Sequence, residues 1–129
     1  QVTGVIPENL QEKEFAHPGL SKLCIVASMH ERKAMMERLS QGFIALPGGI
    51  GTLEEIFEIL TWAQLGLHRK PCGLLNVNGY YDGLISFLKT TEREGFMGEL
   101  FEKRLLLGVK ARSLLDQMIT TFESDFGGA

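Results

Sequence analysis

With 129 residues, 44% hydrophobic and 22% charged, the chain has the make-up of one soluble globular domain with one core. A net charge of -3 gives no electrostatic ground for binding nucleic acid or an anionic membrane, and no apolar run reaches the ~18 residues that would cross a bilayer. The opening Gln1-Val2-Thr3-Gly4-Val5-Ile6 lacks the basic and apolar regions of a signal peptide. It reads as the middle of a fold, so a preceding segment is expected.

In chain order, short apolar runs alternate with longer stretches of helical period. Strands are expected at Val2–Ile6, Leu23–Ala27, Phe43–Leu46, Gly73–Val77 and Leu105–Val109. Helices are expected at about Met29–Ser40, Leu53–Leu65, Tyr80–Glu94 and Ala111–Phe122. The strands are continuously apolar, as in a parallel sheet covered on both faces, and the alternation argues for βαβ units. The fold class expected is therefore α/β: a Rossmann-like open parallel sheet with helices on both faces, in one domain over 1–129. Ligands of such sheets bind beyond the carboxyl ends of the strands. The polar stretch from Pro7 to Ser21, with Pro18 and Gly19, is long for a connection and suits a functional loop. Cys24 and Cys72 each sit in a run that reads as a buried strand, with no metal-ligand partner at useful spacing. Reduced thiols in a cytoplasmic protein are the simplest expectation.

Fifteen glycines exceed the average usage of about 7%, and three of them fall in one place. Pro47-Gly48-Gly49-Ile50-Gly51 follows the apolar run Phe43-Ile44-Ala45-Leu46, and a helix is expected to begin at Thr52. Its apolar stripe is Leu53, Ile56, Phe57, Leu60 and Ala63. Glycines there allow positive φ and close approach of a ligand to the backbone, and a helix N-terminus favours a phosphate. The bland alternative is a tight turn without a ligand. No Lys-Ser or Lys-Thr follows the glycines, which excludes a Walker loop; the spacing is not GxGxxG, and Asn76-Val77-Asn78 offers no acid for a dinucleotide ribose. A monophosphate fits better.

Thr52-Leu53-Glu54-Glu55 has the spacing of a capping box, with Thr52 as N-cap and Glu55 reaching back. By spacing alone, Glu55 serves equally well as a cap or as a carboxylate facing the crevice. A second box, Ser28-Met29-His30-Glu31, introduces a helix whose first turns carry His30, Arg32 and Lys33. Cations there oppose the helix dipole, and a local rule broken without visible compensation often marks a functional site. Arg32 is the stronger candidate. Lys33 also suits a solvated charged face, and His17 and His68 read as loop residues without chemistry.

Met29-His30-Glu31-Arg32-Lys33, together with Ala45-Leu46-Pro47-Gly48-Gly49-Ile50-Gly51-Thr52-Leu53-Glu54-Glu55, resembles the paired signature of the Lonely Guy family. These are cytokinin riboside 5'-monophosphate phosphoribohydrolases, often mislabelled lysine decarboxylases. The likeness extends through Gly4-Val5-Ile6-Pro7, Thr61-Trp62-Ala63-Gln64-Leu65-Gly66, Gly73-Leu74-Leu75-Asn76-Val77 and Gly79-Tyr80-Tyr81. Ser28 departs from it, standing where many members have an acid, and the family's N-terminal strands are not in this sequence.

The resemblance implies hydrolysis of the N-glycosidic bond of a purine or cytokinin nucleoside 5'-monophosphate, with Arg32 and Glu55 as the catalytic pair. Gly48, Gly49, Gly51 and Thr52 match the phosphate loop, Ile50 and Leu53 within it are expected to bind substrate too, and Glu14, Lys33, Glu54 and Thr61 fall where the family contacts nucleotide. It also implies a homodimer or higher homo-oligomer, no cofactor and no metal. A non-catalytic nucleotide carrier or sensor is the alternative. A true lysine decarboxylase would need a lysine bearing pyridoxal phosphate, and no motif marks one.

Overall fold

The computed structural model describes residues 1–10 and 16–126. Its contacts divide the chain into two compact units, Gln1–Ser40 and Gln41–Ala129. The first holds two parallel strands, β1 (Thr3–Pro7) and β2 (Lys22–Val26), with Thr3 opposite Lys22 and Pro7 opposite Val26. Helix α1 (Met29–Leu39) packs on both. Its start is the expected one: Ser28 Oγ accepts from the Glu31 N–H at 3.2 Å. The Glu31 carboxylate reaches one residue further back than a capping box requires and takes the Ala27 N–H at 2.9 Å. Burial of β2 on both faces is not observed. Val26 is buried, Cys24 is half-buried, and Leu23 and Ile25 are exposed. Side chains alternate across a strand, and one helix covers one face of a two-stranded sheet.

The second unit carries three parallel strands in the order β3 (Phe43–Ala45), β4 (Cys72–Leu75), β5 (Leu105–Gly108). Helix α2 (Ile50–Gln64) joins β3 to β4, and α3 (Asp82–Arg93) and the short α4 (Leu100–Lys103) lie between β4 and β5. Helix α5 (Ala111–Phe126) closes the order. The expected α/β class, a Rossmann-like open parallel sheet with helices on both faces, holds, although the described strands fall into two sheets. Strand β4 is central and buried throughout.

The period-2 alternation of its strands sorts the second unit into layers. Ala45, Cys72, Leu74 and Leu105 face a core built with Ile56, Ile59 and Leu60 of α2, Leu88 of α3 and Leu100 of α4. Leu75, with Ile44 and Leu106, faces Leu114 and Met118 of α5 on the other side. Leu114 is fully buried because two strand glycines make room for it. A Cβ on Gly73 would lie 3.0 Å from Leu114 Cδ1, and one on Gly108 would lie 2.7 Å from Leu114 Cβ. Burying such a leucine contributes about 1.5–3 kcal/mol, so the glycines serve packing.

His68 is buried, as the loop reading did not foresee. Its Nδ1 accepts the Lys70 N–H at 3.1 Å, which leaves Nε2 to donate to the Ile59 carbonyl at 2.8 Å. The neutral ring thus ties the end of α2 to the approach to β4, with Phe43 tilted against it at 5.7 Å. Cys72 is fully buried, and desolvation pushes its thiol up to about 12, with Arg104 pulling modestly the other way. Neither Cys24 nor Cys72 is in a disulfide. Among the described residues, no helix is long and apolar enough to cross a membrane.

Candidate active site

The glycine loop lies where the sequence put it, at the carboxyl end of β3, but it is shorter than expected. Gly49 is the N-cap of α2, in extended backbone at φ -102° and ψ -150°, and the helix begins at Ile50. Ile50 and Gly51 are therefore helical, and the first intrahelical bond runs from Leu53 N–H to the Gly49 carbonyl at 3.1 Å. Thr52 is not the N-cap, so the capping box expected of Thr52 and Glu55 does not form. Gly49 makes no side-chain capping bond at this helix start. The N–H groups of the first turn point out of the helix end unmatched by intrahelical carbonyls, the arrangement that favours an anion.

The role assigned to the glycines also changes. The glycines with positive φ among the described residues are Gly66, Gly79 and Gly95, none of them in the loop. What the loop glycines supply is space. A Cβ on Gly48 would come within 2.8 Å of Thr52 Cβ, so this position must be bare for the helix to start here. A Cβ on Gly49 or Gly51 would meet nothing within 4 Å. Those two exposed positions are bare without any packing reason inside the protein.

Without the capping box, Glu55 sits in the second turn of α2, half-buried and engaged with neighbouring groups. It lies one turn below Gly51, on the same face of the helix. Glu54 is exposed on the adjoining face. Thr61 is not brought to the loop: ten residues past Gly51 is about 15 Å along the axis. Its hydroxyl donates to the Phe57 carbonyl at 2.7 Å.

Arg32 and Lys33 stand on α1, in the first unit. Lys33 is 4% exposed and engaged, which overturns its reading as part of a solvated face. Arg32 is half-buried and engaged as well. Lys33 is thus far less exposed than lysines usually are. Glu14 lies outside the described residues. His30 is exposed.

Two residues to which the sequence gave no role touch the loop directly. Tyr80 Oη donates to the Gly48 carbonyl at 2.6 Å, and Tyr81 Oη donates to the Leu46 carbonyl at 2.5 Å. The rings meet edge to face at 5.0 Å. Burial pushes the Tyr81 phenol above its usual range; Tyr80 adds to this, and the Gly48 backbone partly offsets it. Tyr81 thus stays a proton donor at neutral pH. Asn76, at the end of β4, takes the Tyr81 N–H on Oδ1 at 2.7 Å and donates from Nδ2 to Asp82 at 2.8 Å. The available signal was weak: Gly79 before an aromatic pair, just past a strand end.

The same unit has a cleft of about 300 Å³ lined by Arg69, Lys70, Lys103, Arg104 and Asp125. It lies where the chain enters β4 and β5, the amino ends of the strands, away from the loop that follows β3. Cations near the end of α5 complement a helix C-terminus. Among the described residues, no group of His, Cys, Asp and Glu could hold a metal ion.

Comparison with known proteins agrees with the motifs. A family described as "Possible lysine decarboxylase" matches residues 1–118. The chain is 46% identical over 125 residues to the cytokinin riboside 5'-monophosphate phosphoribohydrolase LOG7 of Arabidopsis thaliana, covering 97% of this chain and 57% of that protein. The chain belongs to the Lonely Guy family. To the rice enzyme LOG it is 46% identical over 125 residues, covering 95% of this chain and 52% of the relative. To the Rhodococcoides fascians phosphoribohydrolase it is 51% identical over 107 residues, covering 82% and 54%. This Lonely Guy chain thus spans about half the length of the curated relatives it matches.

Proposed function

We propose that this Lonely Guy chain supplies the phosphate loop and the acid–base carboxylate of a phosphoribohydrolase acting on purine or cytokinin nucleoside 5'-monophosphates. The observation that carries the reading is the start of α2, with bare Gly49 and Gly51 beside it and Glu55 one turn below. The phosphorylated relatives' substrates named above fit a loop that would take a 5'-phosphate on backbone N–H groups.

In the reaction, water attacks C1' of the ribose as the C1'–N bond breaks, and the bonding electrons leave with the base. The ribose passes through an oxocarbenium-like state, by analogy with glycoside hydrolysis. Glu55 stabilises that charge and takes the proton of the attacking water; the departing base takes up a proton from solvent, and Glu55 returns its own to solvent. The products are the free base and ribose 5-phosphate. Phosphate binding, remote from the broken bond, would hold the ribose in register with Glu55. The family resemblance names Arg32 as the partner of Glu55 in catalysis and Glu14, Lys33 and Glu54 as nucleotide contacts, whereas Thr61, about 15 Å along α2 from Gly51, lies away from the phosphate loop. A homo-oligomer is the expected working unit, and two free thiols suit a cytoplasmic setting.

The test is release of base from AMP and from isopentenyladenosine monophosphate. Glu55→Gln should lower turnover by about 10²–10⁴-fold while keeping affinity for ribose 5-phosphate. Undiminished turnover in Glu55→Gln would refute the mechanism. Nucleotide binding with no base released by the unaltered chain would leave a carrier or sensor.

A further inference from the structure

We infer that Tyr80 and Tyr81 are positioning residues of the glycine loop, Tyr81 fixing the Leu46 carbonyl where the chain leaves β3 and Tyr80 fixing the Gly48 carbonyl so that the Gly49 N–H faces the 5'-phosphate. The inference rests on the phosphate-loop reading above.

The hydrogen bonds span 32 and 35 residues of sequence, so they tie one strand end to its neighbour across the sheet and are not local turn contacts. In a trans peptide the C=O and the following N–H point in opposite directions. Pinning the Gly48 carbonyl toward Tyr80 therefore aims the Gly49 N–H away from it. This peptide lies between two glycines, where the backbone has the most freedom to rotate. Gly48 and Gly49 carry no side chains to lock it. The lock comes from outside, from Tyr80.

The two tyrosines differ in how they are held. Tyr81 is buried, and its N–H is seated on Asn76, whose own N–H reaches the Gly108 carbonyl at 2.7 Å. Its hydroxyl fixes Leu46, whose following residue is Pro47 and offers no N–H. Tyr81 thus sets where the chain leaves β3. Tyr80 is 55% exposed, and its hydroxyl sets the first donor of the loop. Asn78 and Gly79, at φ 50° and φ 71°, form the left-handed turn that delivers the pair. A Cβ on Gly79 would also strike Asp82 Oδ2 at 2.6 Å.

The exposed Tyr80 makes the cleaner probe, because removing its hydroxyl leaves the core intact. In Tyr80→Phe, affinity for ribose 5-phosphate by calorimetry should fall about three- to tenfold. The melting temperature should stay within about 2 °C, and KM for AMP should rise by a larger factor than kcat falls. The ¹H–¹⁵N resonance of Gly49 should move, a readout that a merely structural role for the ring would not shift. Tyr81→Phe should weaken ribose 5-phosphate in the same direction with some loss of stability. Should Tyr80→Phe bind ribose 5-phosphate as the unaltered chain does, with the Gly49 resonance unmoved, the inference is overturned alone. If the unaltered chain binds no ribose 5-phosphate, the phosphate-loop reading falls and this inference with it.

Discussion

Gly51→Ala separates a ligand-driven glycine from a fold-driven one. Gly51 sits in the first turn of α2, its φ is not in the left-handed region, and a Cβ there would meet nothing within 4 Å. The fold alone gives alanine the advantage: replacing glycine in a helix stabilises by about 0.5–1 kcal/mol. For a chain of this size that is a rise of roughly 2–5 °C in melting temperature. A phosphate resting on the bare backbone would be pushed outward by the new methyl group. Losing one charge-assisted hydrogen bond costs about 1.5–3 kcal/mol, or roughly 10- to 150-fold in affinity at 1.4 kcal/mol per tenfold. Thermal unfolding and ribose 5-phosphate calorimetry on the same preparations read both effects. The expected outcome is a more stable protein that binds more weakly. A more stable protein with unchanged affinity would show that no ligand approaches Gly51, and a less stable one would show that the open space above it is misjudged.

The other glycines behave in the opposite way. Gly108→Ala should destabilise by about 1–3 kcal/mol through overpacking against Leu114 Cβ, seen as a lower urea midpoint; an unchanged midpoint would mean that α5 shifts freely. Cys72 should resist alkylation at about pH 8 in the folded protein and react on unfolding, because its thiol is buried and pushed up to about 12. Its neutral form favours the folded state fully below pH 9.0, the ordinary value, and that contribution is lost as pH climbs toward about 12. Stability should therefore fall less steeply above pH 9.0 in Cys72→Ala, measured by denaturant titration across that range; equal slopes would dismiss the thiol as the cause.

The motifs and the strand–helix alternation were legible because they depend on local rules. Ser28 and Glu31 cap α1 by spacing alone, and the stripe Ile56, Leu60, Ala63 follows from helical period. Local rules also produced the errors. Thr52 to Glu55 has the spacing of a capping box, yet Gly49 begins the helix earlier. Thr52 is held by its fit over bare Gly48, a contact that spacing does not encode. Lys33 looked like a surface charge because burial depends on what packs over a helix, and helical period alone does not name it.

By itself, the sequence determined the parallel α/β class, the place of the glycine loop after β3, and the family to which the loop and the Arg32 segment point. Each of these rests on residues close together in the chain. The tertiary structure alone decided that β4 lies beside β3, which brings the end of one strand against the loop following the other. Tyr80 and Tyr81 reach Gly48 and Leu46 only because of that neighbour order. The structure also moved the start of α2 to Ile50, with Gly49 as its N-cap, so Thr52 and Glu55 do not form the cap that their spacing suggests.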